Sequence, residues 1–181
     1  IRRQRQMCIR DRYVPWDLLA YYGDRRVVER HYETMMRFAE SSLLRQRDGK
    51  PEIIGEVLGD WVSPHMTLSD TLMSYSMAPP EGLTLYGTAS HYRVVRNLAE
   101  VARFLGQRDD AVRLDAWADR IARRFNEEFF DAASGIYHGE NPTPYRQAAN
   151  VVPLEYGLVP EADSARVLGS LLRDLDGTRD R

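Results

Sequence analysis

One cysteine in 181 residues, Cys8, excludes an internal disulfide framework. No apolar run approaches the roughly 18 residues that a membrane span requires, and the N-terminus has no apolar core of the secretory kind, so no membrane partner is expected. Missing too are a glycine-rich phosphate loop and a Gly-x-Ser-x-Gly elbow, which leaves nucleotide binding and common serine-hydrolase chemistry without support. The four histidines, His31, His65, His91 and His138, show neither a His-Glu-x-x-His motif nor paired spacing, so neither a metal site nor a cofactor is expected.

What is present is an ordinary globular composition, 43% hydrophobic and 29% charged, at a length that suits one domain with a real core. The net charge of -2 hides an asymmetry: Arg2, Arg3, Arg5, Arg10 and Arg12 against Asp11 give the first twelve residues +4, leaving -6 for the rest. An acidic remainder disfavours nonspecific nucleic-acid binding. The run Met7-Cys8-Ile9-Arg10-Asp11-Arg12 resembles the conceptual translation of a transposon-end sequencing adaptor, in which ATG TGT ATA AGA GAC encodes Met-Cys-Ile-Arg-Asp. Residues 1–12 are therefore read as a non-native, adaptor-derived segment and set aside from fold reasoning.

From Tyr13 the pattern is helical. Pro15, Trp16, Leu18, Leu19, Tyr21 and Tyr22 make a short apolar helix stopped by Gly23, and Asp24 caps the next, which runs to about Arg47 with Val28, Tyr32, Met35, Ala39 and Leu43 on one face. Tyr86 to Leu105 is a third helix ending at Gly106, and a fourth starts at Asp109 or Asp110 with Leu114, Trp117, Ala118, Ile121, Phe125 and Phe129 inward. Phe130 to Tyr137 reads as a turn closing a two-stranded ribbon around Gly135. A last pair, from about Arg146 to Tyr156 and from Glu161 to Leu175, is joined through Gly157, and Pro153 is expected to kink the first of them or delay its start.

Three helices thus stop at glycine, turn within a few residues and re-enter a longer helix, an array of αα-hairpins. Gly23, Gly106 and Gly157 are 83 and 51 positions apart, so the unit is not a fixed-period repeat. Short turns then collect on one rim and long loops on the other, which would hold Glu52, Glu56, Asp60, Trp61, Asp70, Glu81, His138 and Glu140. The long stretch from Arg47 to Leu85 has no sustained helical pattern and reads as a binding loop around Gly59-Asp60-Trp61, the alternative being that Trp61 plugs the end of a helical core.

Carboxylates and aromatic rings on one rim suit a sugar, since acids accept hydrogen bonds from hydroxyls and an indole face covers the C–H face of a pyranose. Paired carboxylates also cleave glycosides, roughly 6.5 to 9.5 Å apart for inversion and about 5 Å for retention, and sequence spacing does not choose among these acids. A non-enzymatic helical scaffold binding a partner along its inner surface is the contrasting possibility.

Tyr13-Val-Pro-Trp-Asp-Leu-Leu-Ala-Tyr-Tyr-Gly-Asp, Gly59-Asp60-Trp61, Gly87-Thr88-Ala89, Gln147-Ala-Ala-Asn and Tyr156-Gly-Leu-Val-Pro160 together resemble the catalytic domain of bacterial α-L-rhamnosidases, from Tyr13 to about Leu175. The resemblance implies an all-α, (α/α)6 six-hairpin barrel that removes terminal rhamnose with inversion, of which residues 13–181 would supply about three hairpins. Other six-hairpin sugar enzymes, glucuronyl hydrolase or trehalase-like, are the neighbouring alternative. Carried over are Trp61, matching a tryptophan that lines the sugar pocket, and Asp60 beside it as pocket wall or loop anchor. The family's general acid lies in an Asp-Cys-Pro-x-Arg-x-Glu motif, absent here, and its general base is also expected outside the chain. No catalytic residue is therefore assigned, and the chain is expected to be an internal piece, inactive alone, with a rhamnose-containing glycoside as its partner. A bacterial source follows from the resemblance; the compartment, cytoplasmic or secreted, is left open.

Overall fold

The structure, a computed structural model, describes residues 14–47, 49–55 and 79–179. Its elements are α1 (Val14–Tyr22), α2 (Arg25–Ser41), a 3-10 turn (Ser42–Arg45), β1 (Gln46–Arg47), β2 (Lys50–Ile54), α3 (Thr84–Phe104), α4 (Arg108–Phe129), β3 (Phe130–Asp131), β4 (Ile136–Tyr137), α5 (Gln147–Tyr156) and α6 (Glu161–Arg179). The fold is all-α, and its helices pair as α1–α2, α3–α4 and α5–α6, as the glycine stops predict. Gly23, Gly106 and Gly157 all take left-handed φ values, 64°, 76° and 70°. At Gly106 and Gly157 paired backbone bonds close the helix end, Gln107 N–H to Ala102 O at 2.8 Å with Gly106 N–H to Arg103 O at 3.1 Å, and Leu158 N–H to Pro153 O at 2.9 Å with Gly157 N–H to Leu154 O at 3.3 Å.

The chain forms two compact units, one of residues up to Leu44 with His91–Arg120 and one of Arg45–Ser90 with Ile121–Arg181. In the first, α1 lies against α2. Asp24 accepts the Arg26 backbone N–H at 3.1 Å, satisfying one of the free donors at the start of α2. The buried faces are those the periodicity marks: Val28, Met35 and Ala39 on α2, Val95, Leu98 and Ala102 on α3, Leu114, Trp117 and Ala118 on α4. Asp115 of α4 pairs with Arg103 at 2.7 Å and Arg96 at 3.2 Å on α3, and the edge of the buried His91 ring meets Trp117 with centroids 5.1 Å apart. His91 is therefore a packing histidine.

The second helix ends at Ser41, short of the expected Arg47, and Leu43 is exposed. Ser41 Oγ donates to Phe38 O at 2.7 Å and Ser42 Oγ to the same carbonyl at 3.4 Å. Hydroxyls that bond backward to the backbone in this way compete with helix propagation.

In the second unit β1 and β2 form an antiparallel hairpin pairing Gln46 with Ile54 and Arg47 with Lys50, so the stretch without a helical pattern, read as a binding loop, begins with strands. The predicted ribbon is present as β3–β4, with Phe130 opposite Tyr137. Phe125, Phe129, Tyr137, Ile53, Leu85, Ala149 and Val167 are buried in this unit, and the Phe125 and Tyr137 rings lie 5.6 Å apart. Each large apolar side chain so buried contributes roughly 1.5–3 kcal/mol. Of the two outcomes expected of Pro153, a kink or a later start, the later start does not occur: the helix begins at Gln147 and runs past Pro153 to a left-handed stop at Gly157. The proline falls in the last turn, where a single missing donor leaves little helix beyond it to disrupt.

Candidate functional site

Of the residues expected on the long-loop rim, Glu56, Asp60, Trp61 and Asp70 lie outside the described residues. Glu81 and Glu140 are brought together. Their segments cross where Asn141 donates its backbone N–H to Glu81 O at 3.1 Å and its side-chain amide to Pro80 O at 3.0 Å. Glycine permits the approach: a Cβ on Gly139 would stand 2.2 Å from Glu81 O, and one on Gly82, whose φ is +95°, would stand 2.3 Å from the Glu140 side chain.

Three of the four carboxylate oxygens accept hydrogen bonds, and the fourth, on Glu81, is held by an ion pair alone. One Glu140 oxygen accepts the Leu83 backbone N–H at 3.0 Å, and the other accepts Thr84 Oγ1 at 2.5 Å and Arg47, the latter in an ion pair. Burial works to raise the Glu140 pKa, but the hydrogen bonds from Thr84 and Leu83, with Arg47 nearby, together hold it below the usual carboxylate range. Glu81 has no exposed surface; it accepts the Tyr86 hydroxyl on one oxygen and meets Arg146 Nε at 2.8 Å on the other. Carboxylates so committed anchor loops and are poorly placed to exchange protons with a substrate.

The other two described rim residues are placed by the strands. Glu52 sits half-buried in β2 with φ +67°, and His138 extends the β3–β4 ribbon by donating its N–H to Phe129 O at 2.9 Å. Arg47, Thr84 and Arg146 went unnoticed in the sequence. Thr84 had a usable signal, a hydroxyl just before the apolar run of α3, whereas the two arginines carry none before the fold brings them in.

Two of the sequence motifs prove to be framework. Thr88 Oγ1 accepts the Ile54 N–H at 3.0 Å and donates to Thr84 O at 2.8 Å, tying β2 to α3. Asn150, fully buried, accepts the Tyr137 N–H at 2.8 Å and donates to Tyr137 O at 3.2 Å and Arg146 O at 3.0 Å. Both satisfy buried backbone groups that would otherwise go unpaired.

Among the described residues no cluster of three or more His, Cys, Asp or Glu is arranged to hold a metal ion, and no helix is long and apolar enough to cross a membrane. In the first unit an open depression of about 520 Å³ is lined by Arg25, Glu29, Arg30, Glu33, Arg37 and Leu105 among others. Its charged wall of both signs lacks the apolar interior typical of small-molecule sites.

Residues 11–181 match the bacterial alpha-L-rhamnosidase 6 hairpin glycosidase domain. Among solved structures, the α-L-rhamnosidase of Dictyoglumus thermophilum is similar at 29% identity and a TM-score of 0.72, over 89% of this chain and 17% of its own. The native enzyme of Aspergillus terreus gives 18% identity and a TM-score of 0.75, over 93% of this chain and 18% of its own. The Streptomyces avermitilis enzyme complexed with L-rhamnose gives 22% and 0.71, over 93% of this chain and 14% of its own. The last two are similarities of fold alone. The chain thus spans less than a fifth of the length of each relative. No curated protein sequence matches it. With nearly all of its length matched, the chain belongs to the bacterial α-L-rhamnosidase six-hairpin glycosidase domain family.

Proposed function

We propose that residues 13–181 are part of the catalytic domain of an inverting α-L-rhamnosidase, contributing sugar-pocket residues to a site whose general acid and base stand outside this chain. Residues 1–12 are read as adaptor-derived. The observation that carries the reading is the family match across residues 11–181, and a relative in complex with L-rhamnose supports the substrate class. Among the described rim acids, Glu140 is held by hydrogen bonds and an ion pair and Glu81 by the Tyr86 hydroxyl and its ion pair with Arg146, which supports leaving neither as the acid or base.

In this reading Trp61 lies its indole on the C–H face of rhamnose, and Asp60 accepts a sugar hydroxyl or anchors the loop. Inversion needs an acid to protonate the leaving oxygen and a base to activate water, so the chain alone releases no rhamnose. Purified chain assayed on an aryl α-L-rhamnoside tests this, and rhamnose release abolished by changing one of its own acids would overturn it. In the full-length enzyme Trp61→Ala weakens sugar binding; unchanged KM and kcat would make Trp61 a plug of the helical core.

A further inference from the structure

We propose that Glu140 is a positioning residue for carbohydrate recognition, joining three chain segments at the long-loop rim into one geometry; the inference rests on the rhamnosidase reading above. Its carboxylate, on the loop following β4, reaches the Leu83 N–H and Thr84 hydroxyl at the start of α3 and Arg47 at the end of β1. Those partners are 57, 56 and 93 positions away in sequence. No local contact brings them together.

The helix start explains why an acid is needed. Leu83 precedes the first residue of α3 and has no side-chain oxygen with which to accept an amide of the first turn. Glu140 supplies the missing acceptor from another loop, and its negative charge faces the positive end of the helix. Gly82 and Gly139 remove the side chains that would keep the two segments apart. The Glu81–Arg146 pair ties the first of these segments to the start of α5 as well, with no surface of Glu81 exposed.

Two ion pairs on these segments are a poor way to gain stability, since desolvating charges offsets most of their attraction. They do select a single arrangement of loops. Sites that bind or transform ligands depend on that kind of over-determined support, because small displacements of a contact surface lose binding energy. A rim held this tightly, in a chain whose helices are already packed by apolar faces, is built for recognition.

The test uses the full-length enzyme and an aryl α-L-rhamnoside. Glu140→Gln removes the charge and keeps the size; it should raise KM about tenfold, the size of one charge-assisted bond, with kcat within about twofold. Glu140→Asp, which keeps the charge but retracts it, should fall between. Lowered thermal stability with KM unchanged would mean a purely structural clamp and overturns the proposal. If Glu140→Gln fails to fold, Arg47→Gln decides: Arg47 is 44% exposed and the cap on α3 survives its loss. It should raise KM several-fold, and an unchanged KM sinks the idea. Lack of rhamnosidase activity in the unsubstituted enzyme defeats the parent reading together with this one, whereas activity with an indifferent Glu140 defeats this one alone.

Discussion

The Glu81 carboxylate, without exposed surface, meets the Arg146 guanidinium at 2.8 Å, and Arg146 is itself only 11% exposed. Breaking such a pair from one side strands a buried charge. Arg146→Met is therefore expected to destabilise the fold by about 3–5 kcal/mol, while the double variant Glu81→Met/Arg146→Met recovers much of the loss. Urea unfolding of the two single variants and the double variant measures the coupling; a double variant no better than the worse single would contradict it.

Thr88→Val keeps the shape of the side chain and deletes its oxygen. The Ile54 N–H, bonded to it at 3.0 Å, is then buried without an acceptor, at a cost of about 1–3 kcal/mol. Amide exchange at Ile54 should quicken in parallel with the fall in denaturation midpoint. Protection retained at that amide would show that another acceptor takes over.

Asn150→Asp replaces an amide that donates to two carbonyls by an oxygen facing them. The buried charge is left without donors for one of its oxygens, and the loss should exceed that of Asn150→Ala. Thermal unfolding of both variants checks the order.

Asp24 carries a pH signature. The side-chain hydrogen bond from Arg26, helped by the Arg26 backbone N–H, holds its carboxyl at about 2 instead of 3.8. A depressed folded-state pKa means stability fully present above about pH 4 and lost as pH falls through about 2. The melting temperature of Asp24→Ala should therefore lie below that of the parent near neutrality and converge with it at about pH 2. A gap that persists in acid would assign the effect to something other than this carboxylate.

Much of the helical framework was legible because its causes are local. Asp24 as a cap, Gly23, Gly106 and Gly157 as stops, and the inward faces of α2, α3 and α4 follow from residue type and spacing alone. The early end of α2 was missed because two serines read as ordinary helix residues until their hydroxyls turn back to Phe38. The β1–β2 hairpin escaped because its strands are short and show no alternation, with Pro51 inside β2 and its two isoleucines adjacent. At the rim, Glu81 and Glu140 could be named as acids but not as neighbours. Their pairing with Arg146 and Arg47 depends on contacts between distant parts of the chain, which no periodicity reports. Trp61 and Asp60, the residues singled out for sugar contact, lie outside the described residues.

The two glycines at the crossing also limit how this rim can diversify. At position 139 the obstacle to any side chain is the Glu81 carbonyl, part of the main chain and unable to swing aside. At position 82 the obstacle is the Glu140 side chain, already held by Leu83, Thr84 and Arg47, and the left-handed backbone resists L-residues there as well. A saturation library across these loops should thus return two nearly empty columns, with tolerated variation crowded into the positions between and beyond them.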